Sequence, residues 1–274
     1  MTTTSKQRLI GILAMAIVIV GVMASAAVTA RAETVLITGS NRGIGLAFAK
    51  AYAEKGWTVI ATARNPEESG ELKALAAKHP TVVPERLDVT NETEIKALAA
   101  KYKGKPIDVL INNAGIGDFT GGATLGAFDA KLFQRVMDTN VLGPLLVSQA
   151  FIENVAASGQ KKIIAITSLT ATLGQTLRKQ VRREHTYYYA TSKTALNMAM
   201  KTLAAEVRER GVIVGIVHPG GADTDLLRSA YGGKSPATAR TPDEVVAGMI
   251  KIIGERTLDN SDQIIGYDGK TLAW

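Results

Sequence analysis

The sequence predicts an α/β fold in which about seven parallel strands form one doubly wound sheet flanked by helices. From residue 34 onwards, short runs rich in β-branched residues alternate with longer stretches of helical periodicity. A glycine-rich segment follows the first run and opens a helical stretch. The chain has 274 residues, of which 46% are hydrophobic and 21% charged, so it can bury one sizeable core.

Seven short runs are predicted as strands because they are rich in valine, isoleucine and threonine. They are residues 34 to 38, 58 to 62, 82 to 87, 108 to 112, 162 to 167, 212 to 217 and 263 to 267. Helical stretches separate them, and such crossovers join parallel strands. No repeat or long linker interrupts residues 33 to 274, so we expect a single domain there.

The helices are predicted from apolar periodicity and from their end signals. Residues 45 to 56 place apolar side chains three and four positions apart on one face, and Gly56 can end this helix. A second helix begins at Thr241, where Glu244 completes a capping box and Pro242 occupies the first helical position.

The first 32 residues are predicted to be a secretory signal peptide or an N-terminal anchor. A basic start precedes an apolar run over residues 9 to 22, and Ala30-Arg31-Ala32 precedes Glu33. This order is typical of a signal peptide, so we expect cleavage after Ala32 and export to the periplasm or the medium.

Two alternatives for this leader stay open. Residues 9 to 30 are uncharged and long enough to span a bilayer as an uncleaved anchor. Only about 14 Å of extended chain would then separate the membrane from the first strand, which crowds the domain against the headgroups. If translation starts at Met23 instead, the protein is cytoplasmic.

Composition argues against several classes of function. The chain has no cysteine, which excludes disulfides and thiolate chemistry. Its three histidines, His79, His185 and His218, are too scattered for a metal site, so no metal is predicted. The formal net charge is +7, and it falls to a mild +4 without Lys6, Arg8 and Arg31 of the leader; the remaining basic residues alternate with acidic ones. We therefore expect no nucleic-acid partner.

The glycine-rich segment TGSNRGIG, residues 38 to 45, is predicted to hold a dinucleotide phosphate. Glycines allow a tight turn and close backbone approach, and the helix that follows presents free N–H groups to an anion. The competing interpretation is a glycine-rich turn that only packs strand against helix. The predicted cofactor contacts in this loop are Gly39, Asn41, Arg42, Gly43, Ile44 and Gly45.

The second strand indicates which dinucleotide binds. A free ribose 2′-hydroxyl is usually met by an acidic residue after this strand, whereas a 2′-phosphate calls for arginine. Residues 61 to 65 contain no acid but include Arg64, and Arg42 lies in the glycine loop. We therefore expect NADP(H) to be favoured over NAD(H). Two exposed arginines without a ligand are the alternative.

The segment HTYYYATSK, residues 185 to 193, contains three consecutive tyrosines before a lysine. On a helix only Tyr189 lies four residues before Lys193 and shares its face. A nearby ammonium favours the phenolate, so we expect a lowered pKa for Tyr189 and a role in proton transfer. A buried aromatic beside a surface lysine is the alternative interpretation.

These segments together resemble the short-chain dehydrogenase/reductase family over residues 34 to 274. The motifs that carry the resemblance are TGSNRGIG, LDVT at 87 to 90, NNAG at 112 to 115, Asn140 in MDTNVLG, Ser168 in IAITS, Tyr189 with Lys193, and HPGGADT at 218 to 224. The C-terminal YDGKTLAW is similar to that of small carbonyl-reductase-like members. The resemblance implies a Rossmann-type sheet.

The resemblance also implies further cofactor contacts. On the adenosine side they are Asp88, Val89, Asn112, Ala114 and Gly115, and beneath the nicotinamide they are Pro219, Gly220 and Thr224. Packing at the sheet end and an ordinary loop after a strand are the respective alternatives.

The implied reaction is hydride transfer between NADP and a small carbonyl or alcohol substrate. Tyr189 is the proton donor or acceptor, Ser168 binds the reacting oxygen, and Lys193 also binds the nicotinamide ribose. Asn140 holds a water that links Lys193 to solvent.

The family likeness further implies a homo-oligomer, a dimer or tetramer, built through the helices that bear Asn140 and Tyr189. The alternative is a cofactor-binding regulatory or signalling protein with little turnover.

One segment departs from the family pattern. Twenty residues separate Ser168 from Tyr189, and they include Arg178, Lys179, Arg182 and Arg183. A solvated loop is the default expectation for such a cluster, and recognition of an acidic substrate or partner is the alternative. Residues 226 to 240, where the family usually builds its substrate lid, are short here, so the substrate stays open.

Overall fold

The computed structural model describes residues 32–117, 119, 123–173, 186–261 and 263–274. Within them, one sheet has the strand order β3-β2-β1-β4-β5-β6-β7-β8. The strands are β1 (Thr34–Ile37), β2 (Thr58–Ala63), β3 (Val82–Arg86), β4 (Val109–Asn112), β5 (Lys162–Ile166), β6 (Ile213–His218), β7 (Ile264–Gly266) and β8 (Thr271–Leu272). The predicted doubly wound α/β fold is confirmed.

The strands β1 to β7 are the seven predicted ones, and all pair in parallel. The eighth strand was not predicted. It pairs antiparallel to β7, with Leu272 opposite Ile264. A two-residue strand is too short to show a period, and it forms because a turn at Gly269 (φ 82°) returns the chain onto β7.

Helices cover both faces of the sheet. They are α1 (Gly43–Glu54), α2 (Gly70–Lys78), α3 (Glu92–Lys101), α4 (Ala130–Met137), α5 (Gly143–Ala156), α6 (Tyr187–Val207), α7 (Asp225–Ala230) and α8 (Pro242–Gly254). A π-helical turn, Asp138–Leu142, joins α4 to α5. The capping box at the start of α8 is confirmed, since Thr241 Oγ1 accepts from Glu244 N at 3.2 Å and Glu244 Oε2 accepts from Thr241 N at 2.8 Å.

Each face of the sheet has its own hydrophobic core. Side chains alternate along β1, so Val35 and Ile37 join the cluster that contains Phe48 of α1, while Leu36 joins the cluster that contains Phe151 of α5. All three β1 side chains are fully buried, as expected for a parallel sheet covered on both faces.

The strand order places β1 beside both β2 and β4. The chain therefore reverses its direction of winding at β1, and ligands bind outside the carboxyl ends of the strands at such a point. The segments that follow β1, β4, β5 and β6 all leave the sheet at this edge.

Residues 33 to 274 form one compact unit. Within the described ranges, no helix is both long and apolar enough to cross a membrane. Residues 1 to 31 of the predicted leader and the basic segment around residues 178 to 183 lie outside the described residues.

Candidate active site

The glycine loop connects β1 to α1 at the carboxyl edge. Gly39 and Gly43 have φ of 70° and 56°, a conformation that favours glycine. A Cβ on Gly45 would collide with the carbonyl oxygen of Gly39. Arg42 precedes α1 and makes no side-chain capping hydrogen bond. The first turn of α1 therefore presents backbone N–H groups and a positive dipole end to an anion.

Two residues that the sequence analysis missed hold this loop against β4. Asn113 Nδ2 donates to Thr38 O at 2.9 Å and to Gly39 O at 3.1 Å. Thr38 Oγ1 accepts from the backbone N–H groups of Asn113 and Ala114, both at 3.0 Å. The signal was present in the second Asn of NNAG. By contrast, Asn112 is buried and donates to Ser148 Oγ of α5 at 3.0 Å.

The two arginines expected at a 2′-phosphate are both accessible. Arg64 is exposed directly after β2. Arg42 Nη1 lies 2.7 Å from Asp225 Oδ2 at the start of α7. The partner of Arg42 was not predicted from the sequence.

Asp88 and Val89 have packing roles at the end of β3. Asp88 Oδ1 accepts from Thr90 N at 2.9 Å and from Thr90 Oγ1 at 2.7 Å. Val89 is buried, and a Cβ on Gly143 would lie 3.0 Å from its Cγ2. Asp88 thus shapes the turn that leads into α3, and Val89 packs against the start of α5.

The loop after β6 meets the glycine loop. Gly220 has φ of 73°, and a Cβ there would lie 2.5 Å from the ring of Tyr267, so this turn after Pro219 needs glycine. Thr224 Oγ1 accepts from Leu227 N at 3.3 Å and caps α7. A Cβ on Gly43 would lie 3.2 Å from Thr224 Cγ2.

The hydroxyl of Ser168 lies close enough to Tyr189 to influence the pKa of the tyrosine. Ser168 follows β5, and its Oγ already accepts from Thr170 Oγ1 at 2.9 Å, which leaves the Ser168 hydroxyl proton to be donated towards Tyr189. Burial raises the pKa of Tyr189 to about 12, and the Ser168 hydroxyl opposes that rise. Tyr189 is therefore protonated at neutral pH.

This direction corrects the expectation of a lowered pKa for Tyr189. Lys193 Nζ lies 5.8 Å from the centre of the Tyr189 ring and donates to the carbonyl oxygen of Ile166 at 2.9 Å. Lys193 is itself buried, and burial lowers its pKa to about 8. The cost of burying the phenolate thus outweighs the opposing effect of the Ser168 hydroxyl.

Asn140 lies in the π-helical turn and is fully buried. Its Nδ2 donates to Ile116 O at 2.8 Å and to Ser192 Oγ at 2.9 Å, and its Oδ1 accepts from Ile116 N at 2.8 Å. A Cβ on Gly115 would lie 3.3 Å from Asn140 Oδ1 and 3.5 Å from Lys193 Nζ. Asn140 therefore fixes the chain after β4 beside the lysine. Ser192 was missed in the sequence analysis.

The three tyrosines have different surroundings. Tyr187 is exposed. Tyr188 is buried against Phe133, and its hydroxyl accepts from Asp129 N at 2.6 Å. The ring of Tyr189 meets the edge of Phe119 at 5.5 Å between ring centres. Among these three tyrosines, all within the described residues, Tyr189 is the one that lies beside Ser168 and Lys193.

The residues present fit a nicotinamide dinucleotide. The uncapped start of α1 and the glycine loop suit a diphosphate, while Gly115 leaves open the space beside Asn140 and Lys193. In the described part of the chain, no group of three or more His, Asp or Glu side chains is placed to hold a metal ion.

Comparison with known proteins agrees with this arrangement. Residues 33–234 match the model of the short chain dehydrogenase family. An NADPH-bound carbonyl reductase from chicken fatty liver superposes with a TM-score of 0.80 and 34% identity, covering 89% of this chain and 100% of that one. An uncharacterized oxidoreductase of Schizosaccharomyces pombe is 34% identical over 251 residues, which is 86% of this chain and 96% of the relative.

A third relative carries a different kind of name. The C-signal protein of Myxococcus xanthus is 31% identical over 169 residues, which is 62% of this chain and 93% of the relative. The family match covers most of residues 33 to 274 and contains the glycine loop, Ser168, Tyr189 and Lys193. The chain therefore belongs to the short-chain dehydrogenase/reductase family and is an oxidoreductase that acts on carbonyl or alcohol groups.

Proposed function

We propose that this protein is an NADP-dependent oxidoreductase for a small carbonyl or alcohol substrate, with Tyr189 as proton donor or acceptor. The observation that carries the proposal is the buried Lys193, whose Nζ lies 5.8 Å from the centre of the Tyr189 ring and donates to the carbonyl oxygen of Ile166, two residues before Ser168. These groups meet at the carboxyl edge of the sheet next to the glycine loop.

The side chains can perform the proton chemistry of carbonyl reduction. Because its pKa lies near 12, Tyr189 holds a proton at neutral pH and donates it to the oxygen of the substrate. Ser168 donates a hydrogen bond to the same oxygen, and Lys193 supports the site as an ammonium below its pKa of about 8. A bound nicotinamide supplies the hydride. In the reverse direction Tyr189 accepts the proton from the alcohol.

Two arginines support a preference for NADP. Arg42 and Arg64 are exposed beside the glycine loop and β2, and residues 61 to 65, at the end of β2 and just after it, contain no acidic residue. A guanidinium matches a phosphate with paired hydrogen bonds. The NADPH-bound carbonyl reductase with 34% identity points the same way.

The cofactor proposal is tested by fluorescence titration of the full chain with NADPH and NADH. NADPH is expected to bind at least about tenfold more tightly, which corresponds to about 1.4 kcal/mol. Arg64→Asp is expected to narrow or reverse the preference because it replaces attraction by repulsion. Equal affinities for the two nucleotides in the unmodified protein would contradict the proposal.

A cofactor-binding signalling protein is the second candidate, and the likeness to the C-signal protein favours it. The two candidates differ in turnover. NADPH oxidation across a broad panel of aldehydes and ketones supports the enzyme, whereas nucleotide binding without turnover on any carbonyl or alcohol supports the second candidate.

We also propose that the protein forms a dimer or tetramer.

We propose further that the protein is exported after cleavage between Ala32 and Glu33. The basic start, the apolar run and Ala30-Arg31-Ala32 support export. N-terminal sequencing of the native protein should begin at Glu33. An intact Met1 in the membrane fraction would indicate an anchor, and a cytosolic product beginning near Met23 would contradict both.

A further inference from the structure

An ion pair connects the glycine loop to the segment after β6. Arg42 Nη1 and Asp225 Oδ2 are 2.7 Å apart, and their side chains are 66% and 57% exposed. The two residues are 183 positions apart in the chain. The contact therefore depends on the approach of α7 to the start of α1, where Thr224 also lies against Gly43.

Asp225 presents to Arg42 the same chemistry as a phosphate oxygen. Both are anionic acceptors for guanidinium N–H groups, so a 2′-phosphate that binds Arg42 has to displace or share the carboxylate. Asp225 has a second partner, because Arg228 Nη1 lies 3.0 Å from its Oδ1. Arg228 therefore still neutralises part of the charge of the Asp225 carboxylate when Arg42 turns to a phosphate. Arg228 is held in turn by Asp223, 2.9 Å from its Nε.

We propose that Asp225 is a specificity-determining residue that lowers the affinity for a 2′-phosphorylated dinucleotide by competing for Arg42. The inference rests on the proposed NADP dependence. It adds a residue outside the glycine loop that sets how strongly NADP(H) is preferred over NAD(H). Nicotinamide dinucleotides without the 2′-phosphate do not require Arg42, so their affinity is independent of Asp225.

Asp225→Asn tests this inference by fluorescence titration of the full chain with NADPH and with NADH. An exposed ion pair has a small energy, so we expect NADPH to bind about two- to fivefold more tightly and NADH to bind unchanged. Asparagine keeps the shape of the side chain, and Thr224 still caps α7. A thermal melt of each variant verifies that it is folded.

Asp243→Asn is the matched control. Asp243 Oδ2 also lies 2.7 Å from its basic partner, Lys50 Nζ of α1, with side chains 60% and 46% exposed. This variant changes the net charge equally but leaves Arg42 with its partner. It is expected to leave the affinity for both nucleotides unchanged.

A double-mutant cycle with Arg42→Ala separates competition from simple repulsion. If Asp225 acts through Arg42, Asp225→Asn has no effect on NADPH binding in the Arg42→Ala background. The inference is overturned if Asp225→Asn raises the NADPH affinity equally in that background. It is also overturned if the substitution raises the NADH affinity equally or does not raise the NADPH affinity at all. When the unmodified protein still prefers NADPH, these outcomes leave the proposed function standing. If the unmodified protein binds neither nucleotide, both proposals fail.

Discussion

Three consecutive tyrosines at the start of α6 show how one residue type takes different roles. Tyr187 is exposed, Tyr188 is buried with its hydroxyl bound to Asp129 N, and the ring of Tyr189 lies 5.8 Å from Lys193 Nζ. Successive residues of a helix point about 100° apart. Sequence spacing therefore distinguishes Tyr189 from its neighbours, and the packing around each ring defines what the other two do.

Tyr189→Phe should reduce carbonyl reduction by a factor of about 10² or more, because it removes the proton and keeps the ring. Its nucleotide affinity should change little. Tyr188→Phe leaves the backbone N–H of Asp129 without its acceptor, so it should lower the free energy of unfolding by about 1–2 kcal/mol and spare the chemical step. Steady-state kinetics and urea unfolding check both. Loss of turnover in Tyr188→Phe alone would show that the proton donor is misassigned.

We expect the buried ammonium of Lys193 to lower the free energy of unfolding while it supports the chemistry of the site. Burial lowers its pKa from the usual 10.5 to about 8, so the unfolded chain binds the proton more tightly than the folded one. For this group the free energy of unfolding rises with pH between about 8 and about 10.5. Below pH 8 the buried charge is therefore destabilising.

Lys193→Met should raise the free energy of unfolding by about 2 kcal/mol near pH 7, after allowing for the lost hydrogen bond to Ile166. The gain should shrink at about pH 9.5, while turnover is lost. Urea unfolding at the two pH values measures it. Lys96→Met, at a side chain that is 75% exposed, is the control and should change stability little. A gain that does not depend on pH would refute the burial argument.

The N-termini of α1 and α2 differ in how closely the surrounding chain approaches them. At α1 a Cβ on Gly45 would collide with Gly39 O and lie 2.6 Å from Asn113 Nδ2. At α2 a Cβ on Gly70 meets nothing within 4 Å, and Ser69 caps that helix by accepting from Leu72 N at 3.3 Å. The first start lacks a cap and the second has one.

Gly45→Ala should abolish nucleotide binding and lower the free energy of unfolding by about 2–4 kcal/mol, because the loop has to move away from β4. Gly70→Ala should raise it by about 0.5 kcal/mol through the reduced entropy of the unfolded chain. Thermal unfolding and NADPH titration provide the measurements. Normal binding by Gly45→Ala would show that close approach of the loop is not required.

At the scale of the whole molecule, the helices that bear Asn140 and Tyr189 expose large apolar side chains. Leu142, in the π-helical turn, is 47% exposed, and Met198 of α6 is 60% exposed. Association through these helices would bury both. This agrees with the proposed homo-oligomer.

The double substitution Leu142→Glu with Met198→Glu should therefore convert the oligomer to monomers, because charges would be buried at the interface. Sedimentation velocity measures the change in mass. Leu125→Glu introduces one such charge at a leucine that is 84% exposed and lies outside these helices, and it should leave the mass unchanged. A substituted protein that keeps the mass of the unmodified one would place the interface elsewhere.

Sequence alone determined the elements and the local geometry of the site. Strand and helix periods predicted all seven parallel strands to within about two residues, and the capping box at Thr241 was predicted from residue types alone. The pairing of Tyr189 with Lys193 follows from helical spacing. These features depend on neighbours within a few positions, which is the range over which residue patterns carry structural information.

Only the tertiary structure decided which groups meet across the fold. Asn140 binds Ile116 across 24 positions, Thr38 binds Asn113 across 75, and Arg42 binds Asp225 across 183. The rise in the Tyr189 pKa likewise comes from burial, which no local pattern reveals. Periodicity determines which face a side chain occupies, whereas its partners and its exposure to water depend on how distant segments pack.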